Sequence, residues 1–234
     1  MESTLTLLLH RRDARAALAA RDFAALGIAG DAAAQAAFAA LDLHELEASA
    51  AAVRRELLTR RHRGTGGLLD WYPRTIAAWR ARHPDDATLD ALAATFLESP
   101  AAQAWREGVQ DEPGQCLEEA FHRFADACAL GDAAAREDEW LTAQLRALAL
   151  CPEPAFVVPA ELRPAAAGGW FAVATAAPAP MLYAAVRGRF IRGAITPGLA
   201  AGLRSDADAA RLPAEIHASL AELGLLAPRA RPPD

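Results

Sequence analysis

The chain contains no lysine, so all of its positive charge is arginine, and it has only three cysteines, Cys116, Cys128 and Cys151. These are widely spaced and odd in number, and no CxxC occurs. A disulfide framework and a zinc site are therefore not expected, and a reduced, cytoplasmic setting is. None of the six histidines stands at helical metal-binding spacing from another, so no HExxH-type centre is read. His122 reads as a residue on a helix surface. No charge-free apolar stretch is long enough to span a bilayer. In "MESTLTLLLHRRDARAALAA" an acid precedes the apolar run and arginines follow it, the reverse of a secretion signal.

Catalytic groupings are equally scarce. "GTGGLL" (residues 64–69) lacks the lysine of a phosphate loop and does not follow a strand, so it reads as a connection between helices. Glu118 and Glu119 are neighbours, and neighbours on a helix point about 100° apart, too far round to share a proton. Cys116 has no base placed for it and reads as a buried, inert thiol. No catalytic residue, metal ligand or cofactor site is expected in this chain, which leaves binding as the function.

What is present is 234 residues, 53% hydrophobic, with a formal net charge of −6. That is enough for one large domain or two small ones. An acidic balance is poor for binding phosphate backbones. Apolar residues recur at helical spacing up to about residue 150. "RRDARAALAARDFAAL" carries Ala14, Leu18 and Phe23, with Gly27 as its expected stop. The stretch from Gly30 to Gly64 predicts one or two helices, capped at Asp31, with Phe38, Leu41, Leu46, Val53 and Leu57 inward. Pro73 suits a first helical turn, leading Ile76 and Trp79 inward, and Pro100 breaks the next helical passage. "LEEAFHRFADACAL" places Leu117, Phe121, Phe124 and Cys128 on one face, and "REDEWLTAQLRALAL" continues the pattern.

After "CPEP" β-formers, prolines and glycines take over. "AFVVP", "GWFAVATA" and "MLYAAVRG" predict three short strands, followed by a short helix from about Pro197 and a final one stopped by Gly224. The expected fold is α+β: a mostly helical N-terminal domain (1–150) and a small C-terminal domain (151–234) of about three strands and two helices, winged-helix-like in layout.

"GTGGLLDWYPRTIAAWRARHPDD", with "LDALAATFLESPAAQAWRE" and "LEEAFHRF", resembles the MbnC-like partner proteins of methanobactin-type peptide biosynthesis. The likeness rests on the glycine-rich turn, the Tyr72-Pro73-x-Thr75 step, Trp79, Ser99 to Glu107, and Leu117 to Phe121. It covers about residues 5 to 130 and, loosely, the C-terminal part, and it departs at Cys116 and His122. The resemblance implies a non-catalytic subunit that pairs with a multinuclear iron-dependent oxidative enzyme. The iron belongs to that enzyme, which oxidises cysteines of a ribosomally made precursor peptide. On this basis Asp70, Tyr72, Pro73, Thr75, Glu118 and Glu119 are expected to serve partner binding. Asp70, Tyr72 and Glu119 are its exposed contacts, and Trp79, Phe121 and Phe124 the core beneath.

A sheet too small to close leaves an edge for a leader peptide. "GWFAVATA" and "MLYAAVRG" are its expected docking strands, through Trp170, Ala172, Ala174, Tyr183, Arg187 and Arg189. Alternation puts Leu182, Ala184 and Val186 on one face, packed on Ile216 and Leu220 of the final helix, and frees the face of Tyr183 for the peptide. A winged-helix DNA-binding regulator and a helical small-ligand binder are the alternatives. From Pro152 onward eight arginines face seven acids, a surplus of +1, which is little for a DNA-binding face.

Overall fold

The computed structural model describes residues 4–59, 67–86, 88–108, 116–151, 157–175 and 179–229. Gly64 and Gly66, the residues after Thr59 where the long helix was expected to continue, Ala155 and Phe156 of "AFVVP", and the tail from Ala230 lie outside these residues.

Among the described residues ten helices come first: α1 (Thr4–His10), α2 (Arg12–Ala19), α3 (Ala32–Ala39), α4 (Leu43–Thr59), α5 (Leu68–Trp71), α6 (Pro73–Arg82), α7 (Leu89–Leu97), α8 (Pro100–Gly108), α9 (Leu117–Ala127) and α10 (Ala133–Leu150). Their ends follow the sequence chemistry. Asp31 caps α3 by accepting from Ala34 N at 2.9 Å, Asp132 caps α10, and Pro73 opens α6. α2 ends at Ala19, well before the expected Gly27. Arg21 takes a left-handed conformation (φ 56°), and the amides of Arg21 and Asp22 bond back to Leu18 and Ala17. This is the closing pattern of a glycine-terminated helix, formed without the glycine. Leu41, expected inside, is exposed between α3 and α4.

The sheet is a four-stranded antiparallel meander in the order β1 (Arg163–Pro164), β2 (Gly169–Ala174), β3 (Met181–Val186), β4 (Arg189–Ala194). The α+β class is as expected, but the strand list differs. The described residues of "AFVVP" form no strand, and "RFIRGA" does. Arg187 (φ 52°) and Gly188 (φ 71°) make a two-residue turn of the mirror-image type, whose twist matches that of the flanking strands. After the sheet come α11 (Pro197–Gly202), the single turn α12 (Asp206–Ala209) and α13 (Ala214–Glu222), which Gly224 ends.

Both sheet faces are covered. Phe171, Leu182, Ala184 and Val186 join Leu203, Leu212, Leu220 and Leu225 in one core. Ala172, Ala174, Tyr183 and Ala185 join the main helical core with Trp140, Leu141, Leu145 and Leu148 of α10. α10 packs on α9 on one side and on β2, β3 and β4 on the other. Small residues at Ala143, Ala147, Ala172 and Ala185 suit that close approach, because bulkier side chains would hold the layers apart. The expected alternation of β3 is present. The face of Tyr183, expected to be free for a peptide, is instead filled by α10. Ile216 is also turned outward at 39% exposure, and His217 and Leu220 form the buried stripe of α13.

Candidate functional site: the open edge of the sheet

Tyr72 and Glu119, expected exposed, are buried, as are Thr75 and Glu118; Asp70 and Pro73 are exposed. The reason is a set of polar anchors. The Tyr72 hydroxyl donates to the Glu118 carbonyl at 2.8 Å, and its ring meets Phe121 edge-on at 5.0 Å. Phe121 in turn packs on Phe96, and Phe124 on Phe96 and Trp79. Glu139 of α10 accepts from the backbone amides of Arg74 (2.6 Å) and Thr75 (3.2 Å) and from the Thr75 hydroxyl (2.7 Å). Tyr72 gives α6 no side-chain cap, so a carboxylate from another helix supplies it and also suits the positive end of the helix dipole. Asp70 accepts from the Gly67 amide at 3.0 Å and closes its own short helix. Glu119 pairs with Arg123 on the next turn. Burial pushes the Glu119 carboxyl above the ordinary range, and Arg123 opposes it. Tyr72, Thr75 and Glu118 thus serve as framework where α5 and α6 meet α9 and α10, with Asp70 and Pro73 at the surface beside them.

The remaining expected sites lie in the sheet. Ala172, Ala174 and Tyr183 are buried under α10, and Trp170 is half-buried. Arg187 and Arg189 are exposed at the hairpin tip. Neither expected docking strand offers a free edge along its length. β3 pairs with β2 on one side and β4 on the other. β2 is met by β1 at Trp170 and Phe171, and the Gly169 carbonyl accepts from Ala165. Only Val173 has both backbone groups turned outward there.

The free edge is β4, which pairs with no other strand among the described residues. The Val186↔Arg189 pair closes the hairpin, and the Ile195 amide bonds the Pro180 carbonyl at 2.9 Å. With that phase, Arg189, Ile191 and Gly193 direct their backbone groups to β3, and Phe190, Arg192 and Ala194 direct theirs outward. Arginines surround this edge. The Arg146 guanidinium sits 5.3 Å above the Phe190 ring, and Arg189 is exposed with no ion-pair partner among the described residues. Arg192 lies over Tyr183 and donates to Asp138 at 2.7 Å.

Asp138 ties the edge to the helices. It accepts from the Tyr183 hydroxyl at 2.6 Å, from Arg192 and from Arg74 of α6. Burial raises its carboxyl, but the three donors outweigh burial and hold it below the ordinary range. Burial, and then Asp138, push the Tyr183 phenol up to about 12. Burial likewise keeps the Cys116 thiol protonated and His122, stacked on Trp140 at 4.7 Å, toward its neutral form. Among the described residues no three His, Cys, Asp or Glu side chains stand together to hold a metal ion, and no helix is long and apolar enough to cross a membrane. Phe190, Ala194 and Arg146 went unread in the sequence. The two-residue "RG" between "MLYAAV" and "RFIRGA" is the signal that could find the first two; no local signal places Arg146 of α10 beside them.

Searches of family models, curated proteins and solved structures give no match to this chain.

Proposed function

We propose that this chain is the non-catalytic partner subunit of an iron-dependent oxidative enzyme that modifies cysteines of a ribosomally made precursor peptide, and that it binds the leader as a fifth strand along β4. The resemblance of the Tyr72-Pro73-x-Thr75 and "LEEAF" passages supplies the partner and the reaction. The observation that carries the peptide reading is the unpaired edge of β4, framed by Arg146, Arg189 and Arg192 in a chain of net charge −6. Strand addition at Phe190, Arg192 and Ala194 adds backbone hydrogen bonds worth roughly 0.5–1.5 kcal/mol each, less the cost of ordering the peptide. The arginines favour acidic leader residues and make binding fall with salt, at no more than ~1 kcal/mol per exposed pair. The surface at α5 and α6, with Asp70 and Pro73 outermost, faces the enzyme in this reading; Tyr72, Thr75, Glu118 and Glu119 position it.

Calorimetric titration of the leader peptide into the full chain is the test. Ala194→Pro removes an outward amide but no β3–β4 bond, because proline is tolerated at a sheet edge. Leader binding is expected in the parent and lost in this variant, with the melting temperature unchanged. Equal binding by both, or tighter binding to duplex DNA than to the leader, overturns the reading.

A further inference from the structure

On the other flank of the sheet, away from β4, a cavity of about 450 Å³ opens beside β1. Its walls include Phe171, Leu225 and Leu226, and three polar side chains, Arg163, Asp206 and His217, line it. His217 is only 8% exposed, and its side chain forms part of the cavity wall. Arg163 is held in place: its guanidinium lies 5.1 Å above the Phe171 ring, and one terminal nitrogen donates to the Leu203 carbonyl. The other donates to Asp206 at 2.6 Å. That carboxylate is 98% exposed, so water competes strongly for it and the pair is easily exchanged.

We propose that this cavity is a binding site for a small apolar group that carries a carboxylate, with the carboxylate taken by Arg163 in exchange for Asp206 and by the N–H of His217. An apolar floor with a fixed guanidinium and an imidazole beside it is the chemistry of such ligands, and the volume lies at the small end of ligand cavities. A guanidinium already held by a ring and a carbonyl loses little freedom on binding. The same chemistry is offered by a free aryl or branched-chain acid and by the C-terminal residue of a peptide.

Titration of 4-phenylbutyrate into the full chain tests the site, with 4-phenylbutyramide as the uncharged control. Saturable binding of the acid is expected, roughly tenfold or more tighter than the amide, about 1.4 kcal/mol. His217→Phe and Arg163→Met each weaken the acid by a similar factor, and Arg163→Met, which also loses the bond to the Leu203 carbonyl, lowers the melting temperature modestly. Asp206→Asn, which removes the competing carboxylate, tightens it. An acetylated dipeptide ending in phenylalanine identifies the source: if it binds tighter than the free acid, the natural ligand is a peptide C-terminus, and if weaker, a small acid. No saturation, or equal binding of acid and amide, overturns the proposal. Should either pocket variant fail to fold, the acid–amide comparison on the parent and the Asp206→Asn shift still decide it. Neither readout involves β4, so a failure here leaves the leader site standing.

Discussion

Glu139 shows what one side chain does in this chain. It is 4% exposed and satisfies two amides and a hydroxyl at the start of α6. Removing it strands those donors in a dry site, so Glu139→Ala is expected to cost roughly 3 kcal/mol, read as a drop in the chemical-denaturation midpoint. Glu139→Gln keeps an acceptor and loses less. Tyr72 belongs to the same framework, being 0% exposed. Tyr72→Ala therefore costs roughly 3–5 kcal/mol, and Tyr72→Phe about 1 kcal/mol, the share of the bond to Glu118. Asp70→Asn, on the surface beside it, keeps an acceptor for the Gly67 amide but removes the charge, and should instead weaken co-purification with the proposed partner enzyme at a cost of no more than about 1 kcal/mol in stability. Unchanged co-purification of Asp70→Asn would remove that residue from the contact.

At the scale of elements, the β3–β4 hairpin joins fold to proposed function. Its turn needs two left-handed residues, and only one is glycine. Gly188→Val puts a branched side chain in that conformation and should cost roughly 1–2 kcal/mol, followed by thermal melting. The hairpin also offers an internal control for strand addition. Gly193 directs its amide to β3, whereas Ala194 directs its amide outward. Gly193→Pro should lower the melting temperature and Ala194→Pro should not. Equal melting losses in the two variants would mean that the edge groups of β4 are not free.

At the scale of the whole molecule, Asp138 holds α6, α10, β3 and β4 together through Arg74, Tyr183 and Arg192. A carboxyl held below its unfolded value stabilises the fold above that value. The contribution disappears as pH falls below about 3.8 and through the lower folded value. Glu119 has the opposite sign: its folded value is raised above 4.5, so protonation on mild acidification relieves a buried charge. Stability limited by these two groups should rise slightly toward mild acid and then fall steeply. Asp138→Asn should flatten the acid fall, measured by denaturant melts across pH with tryptophan fluorescence. An unchanged acid limb in that variant would show that the junction does not depend on Asp138.

The helical character up to Leu150, the cap at Asp31, the opening proline at Pro73, the stop at Gly224 and the two faces of β3 were all legible in the sequence alone. Each of these depends on chemistry within a few residues: a side-chain oxygen near free amides, a fixed φ, or a period of two. The core status of Trp79, Phe121 and Phe124 was legible for the same reason, through their spacing. Tertiary structure decided which polar residues are inside. Tyr72 and Thr75 look like surface residues until Glu118 and Glu139 are brought beside them, and no local pattern reports a partner tens of residues away. It also decided which strand is at the edge. Period-two alternation assigns the faces of "MLYAAV", but α10 covers one face and the "RFIRGA" strand takes the lateral bonds. Edge position is a property of the assembled sheet, set by which backbone groups remain after every neighbour has paired.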